Sequence, residues 1–143
     1  QGMIRNLCLS LKHHLVKKNS LKQLDFIEQY EINKISTVFN LYSKESLKKV
    51  IPFCKKKKLL IYCRMPLAKG LLTGKYKDLS EFDKFDPRIN NLQITKKIIN
   101  FSKTIKNLSA KNSVLWSLKH CDKVILGFKN TNQIKSLNNY PIK

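Results

Sequence analysis

Two stretches of the chain combine residue types and spacings that suit ligand binding. In the first, the apolar run Val124-Ile125-Leu126 ends at Gly127, and Lys129 follows two residues later. Asn130 or Thr131 can then cap a new helix. A strand that ends at a glycine and opens into a helix points backbone N–H groups and positive charge at an anion. The spacing therefore predicts an anion site at Lys129, although on its own it also suits an ordinary helix cap.

The second stretch runs from Leu59 to Tyr76 and reads LLIYCRMPLAKGLLTGKY. Its first residues are apolar and partly β-branched or aromatic, which is typical of a strand buried on both faces. Pro66 cannot donate to a sheet ladder, so we expect the strand to end near Cys63. Gly70 and Gly74 then let the backbone turn closely around a ligand. Buried strands that open into glycine-containing loops are where α/β proteins bind ligands.

Both stretches resemble the aldo-keto reductases, which are NADP-dependent barrel oxidoreductases. Residues 66–76 match the loop after the seventh strand of that family almost residue for residue. Gly127 to Gln133 resembles the family's Gly-x-Lys/Arg-x-x-x-Gln, in which the basic residue and the helix start hold the 2′-phosphate of NADP and the glutamine approaches the adenine. The resemblance implies that NADP(H) is bound by Arg64, Pro66, Leu67, Gly70, Lys75, Gly127, Lys129 and Gln133.

The first strand carries a further implied contact and a departure. Residues 1–5, Gln-Gly-Met-Ile-Arg, resemble the lead into the family's fifth strand, and Ser10 matches the serine that holds the nicotinamide carboxamide. Leu11, however, stands where the family has a carboxamide-binding asparagine. Ser36 likewise stands where a glutamine is usual. Two polar contacts to the nicotinamide end are therefore missing.

Short apolar runs alternate with amphipathic segments along the whole chain. We expect strands over residues 2–10, 32–41, 59–63 and 122–127, and helices from Asn19, over 45–58, over 94–108 and over 112–118. Pro52 predicts a kink or a late start in the second helix. This alternation favours adjacent parallel strands with right-handed crossovers and helices on one outer face. The fold class is α/β: one partial domain over 1–143, resembling strands five to eight of a (β/α)8 TIM barrel.

The net charge of +20 has two interpretations. Nucleic acid is the partner that such a charge normally suggests. Only three of the 29 basic residues are arginines, however, and the densest run, residues 55–58, is expected at a helix end, where lysines are favourable. We therefore favour a compositional origin. The alternative function is a non-catalytic remnant that serves as a structural or RNA- or assembly-binding basic protein.

The chain of 143 residues carries the second half of the family pattern, whereas a full barrel takes ~250 residues. The family's catalytic aspartate, tyrosine, lysine and histidine come from the first half, so we assign no catalytic residue. We expect His13, His14 and His120 to lie at the surface. If an N-terminal half completes the barrel, the substrate is a small carbonyl compound. Otherwise we expect self-association, because a half-barrel leaves an apolar face and two sheet edges uncovered.

The remaining composition points to a cytoplasmic protein. No apolar run is long enough to span a bilayer, and residues 1–10 lack the features of a signal peptide. Cys8, Cys54, Cys63 and Cys121 lack the paired spacing of zinc sites and sit among apolar residues, so we expect reduced, buried thiols.

Overall fold

Four strands form one parallel sheet in chain order, as the sequence predicts. The computed structural model describes residues 7–13, 16 and 22–136. The strands are β1 (Cys8–Ser10), β2 (Lys34–Val38), β3 (Leu60–Arg64) and β4 (Lys123–Val124), and each pairs with the next in parallel. The expected start of the first strand, at residues 2–6, lies outside the described residues.

The helices follow the predicted alternation with the strands. A 3-10 turn (Lys22–Asp25) leads into α1 (Phe26–Gln29), and α2 (Glu45–Lys56) connects β2 to β3. After three further 3-10 turns (Ala68–Thr73, Leu79–Glu81 and Ile89–Asn91) come α3 (Leu92–Lys103), α4 (Ala110–Leu118) and, after β4, α5 (Thr131–Lys135). None of the described helices combines the length and the apolar character that crossing a bilayer requires.

The two faces of the sheet differ in how evenly they are buried. Ile35, Thr37, Ile61 and Cys63 point to one face and are at most 3% exposed, because the helices cover them. On the opposite face Ser36 and Val38 are also buried, at 5% and 7% exposed, but Tyr62 and Arg64 are half-buried and Leu60 is 43% exposed. The helices therefore lie on one face, as expected, and the other face is partly exposed. Buried polar groups also fix α2 on the sheet, since Ser46 Oγ donates to Val38 O and lies 2.9 Å from Thr37 Oγ1.

A second, smaller apolar cluster fixes the loop that follows β3. Leu71 and Leu72, both at most 3% exposed, pack against Ile98 and Ile99 of α3. Ser113 of α4 donates a hydrogen bond of 2.7 Å to Leu72 O. Contacts with α3 and α4 therefore hold this loop in place on one side.

Several element boundaries differ from the sequence-based expectation. The second predicted helix begins at Glu45 and continues through Pro52, so a late start is wrong. The strand β3 ends at Arg64, next to Cys63 as predicted, whereas the last strand pairs over only two residues. The helix expected over 94–108 occupies Leu92–Lys103. It starts earlier because Asn91 Oδ1 accepts a hydrogen bond from Ile94 N and caps it.

The expectation of four buried thiols is wrong for two cysteines. Cys54 and Cys63 are fully buried, but Cys8 is exposed and Cys121 is half-buried. Cys8 lies on β1, the first strand in the sheet order, in register with Lys34 on the face away from the helices. Apolar neighbours in sequence predict burial only when both faces of a sheet are covered.

Candidate functional site

The loop after β3 has a backbone that turns tightly. Met65, Ala68 and Lys69 have φ values of 55°, 46° and 57°, and Gly70 has a φ of 89°. Left-handed residues of this kind are rare outside glycine and gather at ligand sites. Asn40, only 2% exposed, supports the turn from the neighbouring strand end, because its Nδ2 donates to Met65 O at 2.9 Å.

Asn40 also organises its own loop. Its Oδ1 accepts hydrogen bonds from Tyr42 N at 3.0 Å and Ser43 N at 2.8 Å. One buried side chain thus joins the loops that follow β2 and β3. Sequence reasoning missed this role, and the available signal was an amide residue directly after a buried strand.

A cleft of about 660 Å³ lies between the loop after β3 and the segment after β4. Eight of the nine residues predicted to bind the cofactor line it: Arg64, Pro66, Leu67, Gly70, Lys75, Gly127, Lys129 and Gln133. The ninth, Ser10, does not line this cleft. The structure therefore brings the two motifs together, although they are about sixty residues apart in the chain.

The charge of the cleft is one-sided. Of the described residues that line it, five are basic and none is acidic; the basic ones are Arg64, Lys69, Lys75, Arg88 and Lys129. A concave site lined by one sign of charge attracts ligands of the opposite sign. The cleft therefore favours an anionic ligand.

Arg64 closes the inner end of the cleft at the end of β3. Its Nη2 donates a hydrogen bond of 2.6 Å to Leu11 O, whereas its Nε is buried without a hydrogen-bond partner among the described residues. Leu11 is 1% exposed and its backbone N donates to Ser36 O at 2.9 Å. Leu11 and Ser36, the two positions that depart from the family pattern, are thus hydrogen-bonded to each other, and Arg64 bonds to the Leu11 carbonyl.

The start of α5 forms a closed cap. Asn130 Oδ1 accepts from Gln133 N at 3.1 Å, and Gln133 Oε1 accepts from Lys129 N at 2.8 Å. This reciprocal arrangement satisfies the backbone N–H groups of Lys129 and Gln133, which the sequence analysis expected to face an anion. The positive side chain of Lys129, which is exposed, is therefore the main feature that this segment offers to an anion.

Comparison with known proteins shows which family the chain belongs to. The model of the Aldo/keto reductase family matches residues 1–141. The chain belongs to the aldo/keto reductase family. Oxidoreductase chemistry is therefore the type of function that the family supports.

The solved glycerol dehydrogenase AKR11B4 from Gluconobacter oxydans shares the fold of this aldo/keto reductase chain. The TM-score is 0.76 at 20% sequence identity, and the match covers 99% of this chain and 45% of that one. The chain thus spans less than half the length of that structure. No curated protein sequence matches the chain significantly.

In this aldo/keto reductase chain Arg88 also lines the cleft. The sequence analysis did not assign a role to this residue. Arg88 is 8% exposed, and its guanidinium carbon lies 4.5 Å from the ring centre of Tyr76 and 4.3 Å from that of Phe82. Its Nη1 donates to Lys69 O at 3.4 Å, and its Nε donates to Asp86 Oδ1 at 2.8 Å. Arg88 therefore fixes the positively charged loop from the side.

Asp86 titrates under the influence of this arginine. The side-chain hydrogen bonds from Arg88 hold the pKa of the Asp86 carboxyl well below its usual range, with further contributions from the Arg88 backbone N–H and from the charges of Arg88 and Lys129. The same hydrogen bonds raise the pKa of Arg88. The pair therefore stays ionised at neutral pH.

We expect Asp86→Asn to flatten the acid-side slope of stability. Because the folded-state pKa of Asp86 lies below its unfolded value of about 4, its contribution is complete above that value. The contribution is then lost as the pH falls through the depressed folded pKa. The measurement is the free energy of unfolding in urea from neutral to acidic pH for the wild type and the variant. Parallel pH profiles would contradict the assignment.

Among the described residues, no histidine lines the cleft. His120 lies edge-on to Trp116, with ring centres 4.8 Å apart, and it does not line the cleft. Trp116 itself is partly buried and packs against the main core. Within the described part of the chain, no three His, Cys, Asp or Glu side chains form a group that could hold a metal ion.

Proposed function

We propose that this chain is the part of an NADP(H)-dependent aldo/keto reductase that holds the phosphate-bearing adenosine end of the cofactor. In this proposal its four strands correspond to strands five to eight of the barrel. The observation that carries the proposal is the cleft, where the two sequence motifs meet in a lining with five basic and no acidic described residues.

The residues present fit a phosphorylated dinucleotide. Lys129 follows β4 and would attract the 2′-phosphate. On the opposite wall lie Arg64, the last residue of β3, and Lys75, on the loop that follows it. Basic side chains hold phosphates through charge-assisted hydrogen bonds. The buried, unpartnered Nε of Arg64 is a donor that a ligand in the cleft could use. Gln133 fits adenine less directly, because its Oε1 already accepts from Lys129 N.

This chain offers fewer polar contacts to the nicotinamide end of the cofactor than to its adenosine end. Leu11 and Ser36 replace the family's polar contacts, and Ser10 does not line the cleft. When bound, NADPH supplies the hydride that reduces a carbonyl group. The residues of this chain would bind and orient the cofactor, while the proton for the carbonyl oxygen would come from residues beyond it.

The exposed part of the sheet face that lies away from the helices supports the same proposal. Leu60 is 43% exposed on that face, where a closed barrel would bury it. The solved relative contains more than twice the length that this chain matches. The remaining half-barrel is therefore the partner that this face fits, whether it is supplied by the same protein or by another one. The proposed substrate is then a small carbonyl compound.

The competing function is general anion binding by a basic protein, such as docking on RNA. The net charge of +20 favours it, while the lysine run at residues 55–58 lies at the end of α2, where the helix dipole accounts for it. The two functions differ in whether one lysine, Lys129, discriminates between ligands.

The test is calorimetric titration of the full chain with 2′-phospho-AMP and with AMP. We expect 2′-phospho-AMP to bind about tenfold more tightly, which corresponds to one charge-assisted hydrogen bond. Lys129→Ala should remove this preference, because it removes the charge next to the phosphate. Binding should also weaken as salt is added, since the site is exposed.

Lys56→Ala is the matched control, because Lys56 is an exposed lysine at the far end of α2. It should leave both affinities unchanged. Equal binding of the two nucleotides, or an equal loss in both lysine variants, would show that the overall charge carries the binding and would favour the competing function.

A further inference from the structure

A second cleft, of about 320 Å³, lies between α3 and the 3-10 turn at Leu79–Glu81. One wall is formed by residues 77–80 and the other by side chains of α3. None of its lining residues lines the cleft described above, so the two sites are separate. A cavity of this size suits a small ligand.

The wall of the second cleft that α3 provides is a single face of this helix. Lys96, Ile99, Asn100 and Lys103 have the spacing i, i+3, i+4 and i+7, which places them on one side of the helix. Ile99 is 1% exposed and provides an apolar surface, whereas the two lysines and Asn100 are exposed. The exposed Lys77 adds a third positive charge from the opposite wall.

The carboxylates near this cleft already accept hydrogen bonds from the turn. Asp78 Oδ1 accepts from Ser80 N at 2.8 Å and from Ser80 Oγ, while Glu81 Oε1 accepts from the backbone N–H groups of Lys77 and Asp78. The hydrogen bonds from Ser80, with a smaller contribution from the charge of Lys103, lower the pKa of Asp78. The carboxyl of Asp78 is therefore ionised at neutral pH, and the lining combines three positive charges with one negative charge.

Two of the three ammonium groups are available to a ligand. Within the described part of the chain, neither Lys77 Nζ nor Lys96 Nζ forms an ion pair or a hydrogen bond. Each ammonium group carries three donors, and lysine binds phosphate groups as a compact charge. Cations that line a concave site with an apolar surface attract anions more strongly than isolated surface lysines do. The second cleft therefore fits a ligand with several negative charges.

We propose that the second cleft binds a diphosphate group, either as inorganic pyrophosphate or as the diphosphate end of a nucleotide. The group would lie between Lys77 on one wall and Lys96 and Lys103 on the other. Orthophosphate carries fewer negative charges and should bind more weakly. The proposal is independent of the function proposed above, because the two clefts share no lining residue.

The test is calorimetric titration of the full chain with pyrophosphate, ADP and orthophosphate at one ionic strength. We expect pyrophosphate to bind about tenfold more tightly than orthophosphate, and Lys96→Ala and Lys103→Ala each to weaken pyrophosphate binding about tenfold. Lys97→Ala is the matched control, because Lys97 is also exposed on α3 but does not line the second cleft. ADP that binds as tightly as pyrophosphate would point to a nucleotide, and weaker ADP binding would point to free pyrophosphate.

Lysine acetylation followed by mass spectrometry locates the bound ligand. Pyrophosphate should protect Lys77, Lys96 and Lys103 from acetic anhydride and leave Lys97 reactive. Lys96→Ala should also leave the preference for 2′-phospho-AMP over AMP unchanged, because Lys96 does not line the other cleft. Equal losses of pyrophosphate affinity in Lys96→Ala and Lys97→Ala, or equal protection of all four lysines, would overturn the proposal and assign the binding to the overall charge.

Discussion

Gly74→Ala should lower the free energy of unfolding by about 3 kcal/mol, combining left-handed strain with a steric clash. Gly74 has a φ of 76°, a conformation that costs any residue with a Cβ. An added Cβ would lie 2.4 Å from Leu108 O, which is a backbone atom and cannot rotate away. Either the loop after β3 or the segment before α4 would have to move.

Two other glycines provide matched controls for this variant. Gly70→Ala places its Cβ 3.7 Å from Arg88 Nη1, an ordinary contact, so only the strain of its φ of 89° remains, or about 1 kcal/mol. Gly127→Ala meets nothing within 4 Å and should be close to neutral. Urea unfolding followed by circular dichroism measures all three. Equal losses in the three variants would contradict the predicted order.

Arg88→Ala should destabilise the chain by about 2–4 kcal/mol, because it removes a buried side chain that packs against two aromatic rings. The loss includes the contacts with Tyr76 and Phe82 and the hydrogen bond to Lys69 O. These contacts link the loop after β3 to the polar segment before α3. We therefore expect the loop to become protease-sensitive in the variant.

The controls for Arg88 separate its shape from its charge. Arg88→Lys keeps the charge but loses the planar fork, so it should recover only part of the stability. Lys84→Ala removes an exposed cation that lies 5.1 Å from the ring of Phe85, itself 82% exposed, and it should change stability by less than about 0.5 kcal/mol. If Arg88→Lys is as stable as the wild type, charge alone accounts for the role of Arg88.

The fold was predictable from the sequence because each element carries its own periodicity. The apolar stripe of α2 and the short apolar run of β3 are local patterns, and their alternation leads to a parallel sheet in chain order. Element ends were less predictable. The end of β4, for example, depends on pairing with Tyr62 and Cys63, and that pairing stops after two residues.

The residues that line the cleft were predictable from two local motifs, whereas the residues that support them were not. Asn40 and Met65 are 25 residues apart, and Arg88 reaches Lys69 across 19 residues. Neither contact leaves a repeating signal in the sequence, because each is a single hydrogen bond between loops. The capping role of Gln133 was also missed, since the same spacing suits both a helix cap and a ligand contact.

By itself the sequence determined the parallel α/β architecture, the family resemblance that the family model confirms, and the two motifs that contain eight of the residues at the cleft. Only the tertiary structure decided that these motifs face each other and that Arg88 is buried against two rings. The physical reason is that periodicity and turn chemistry act within a few residues of the chain. Burial and contacts between loops, in contrast, depend on which elements become neighbours.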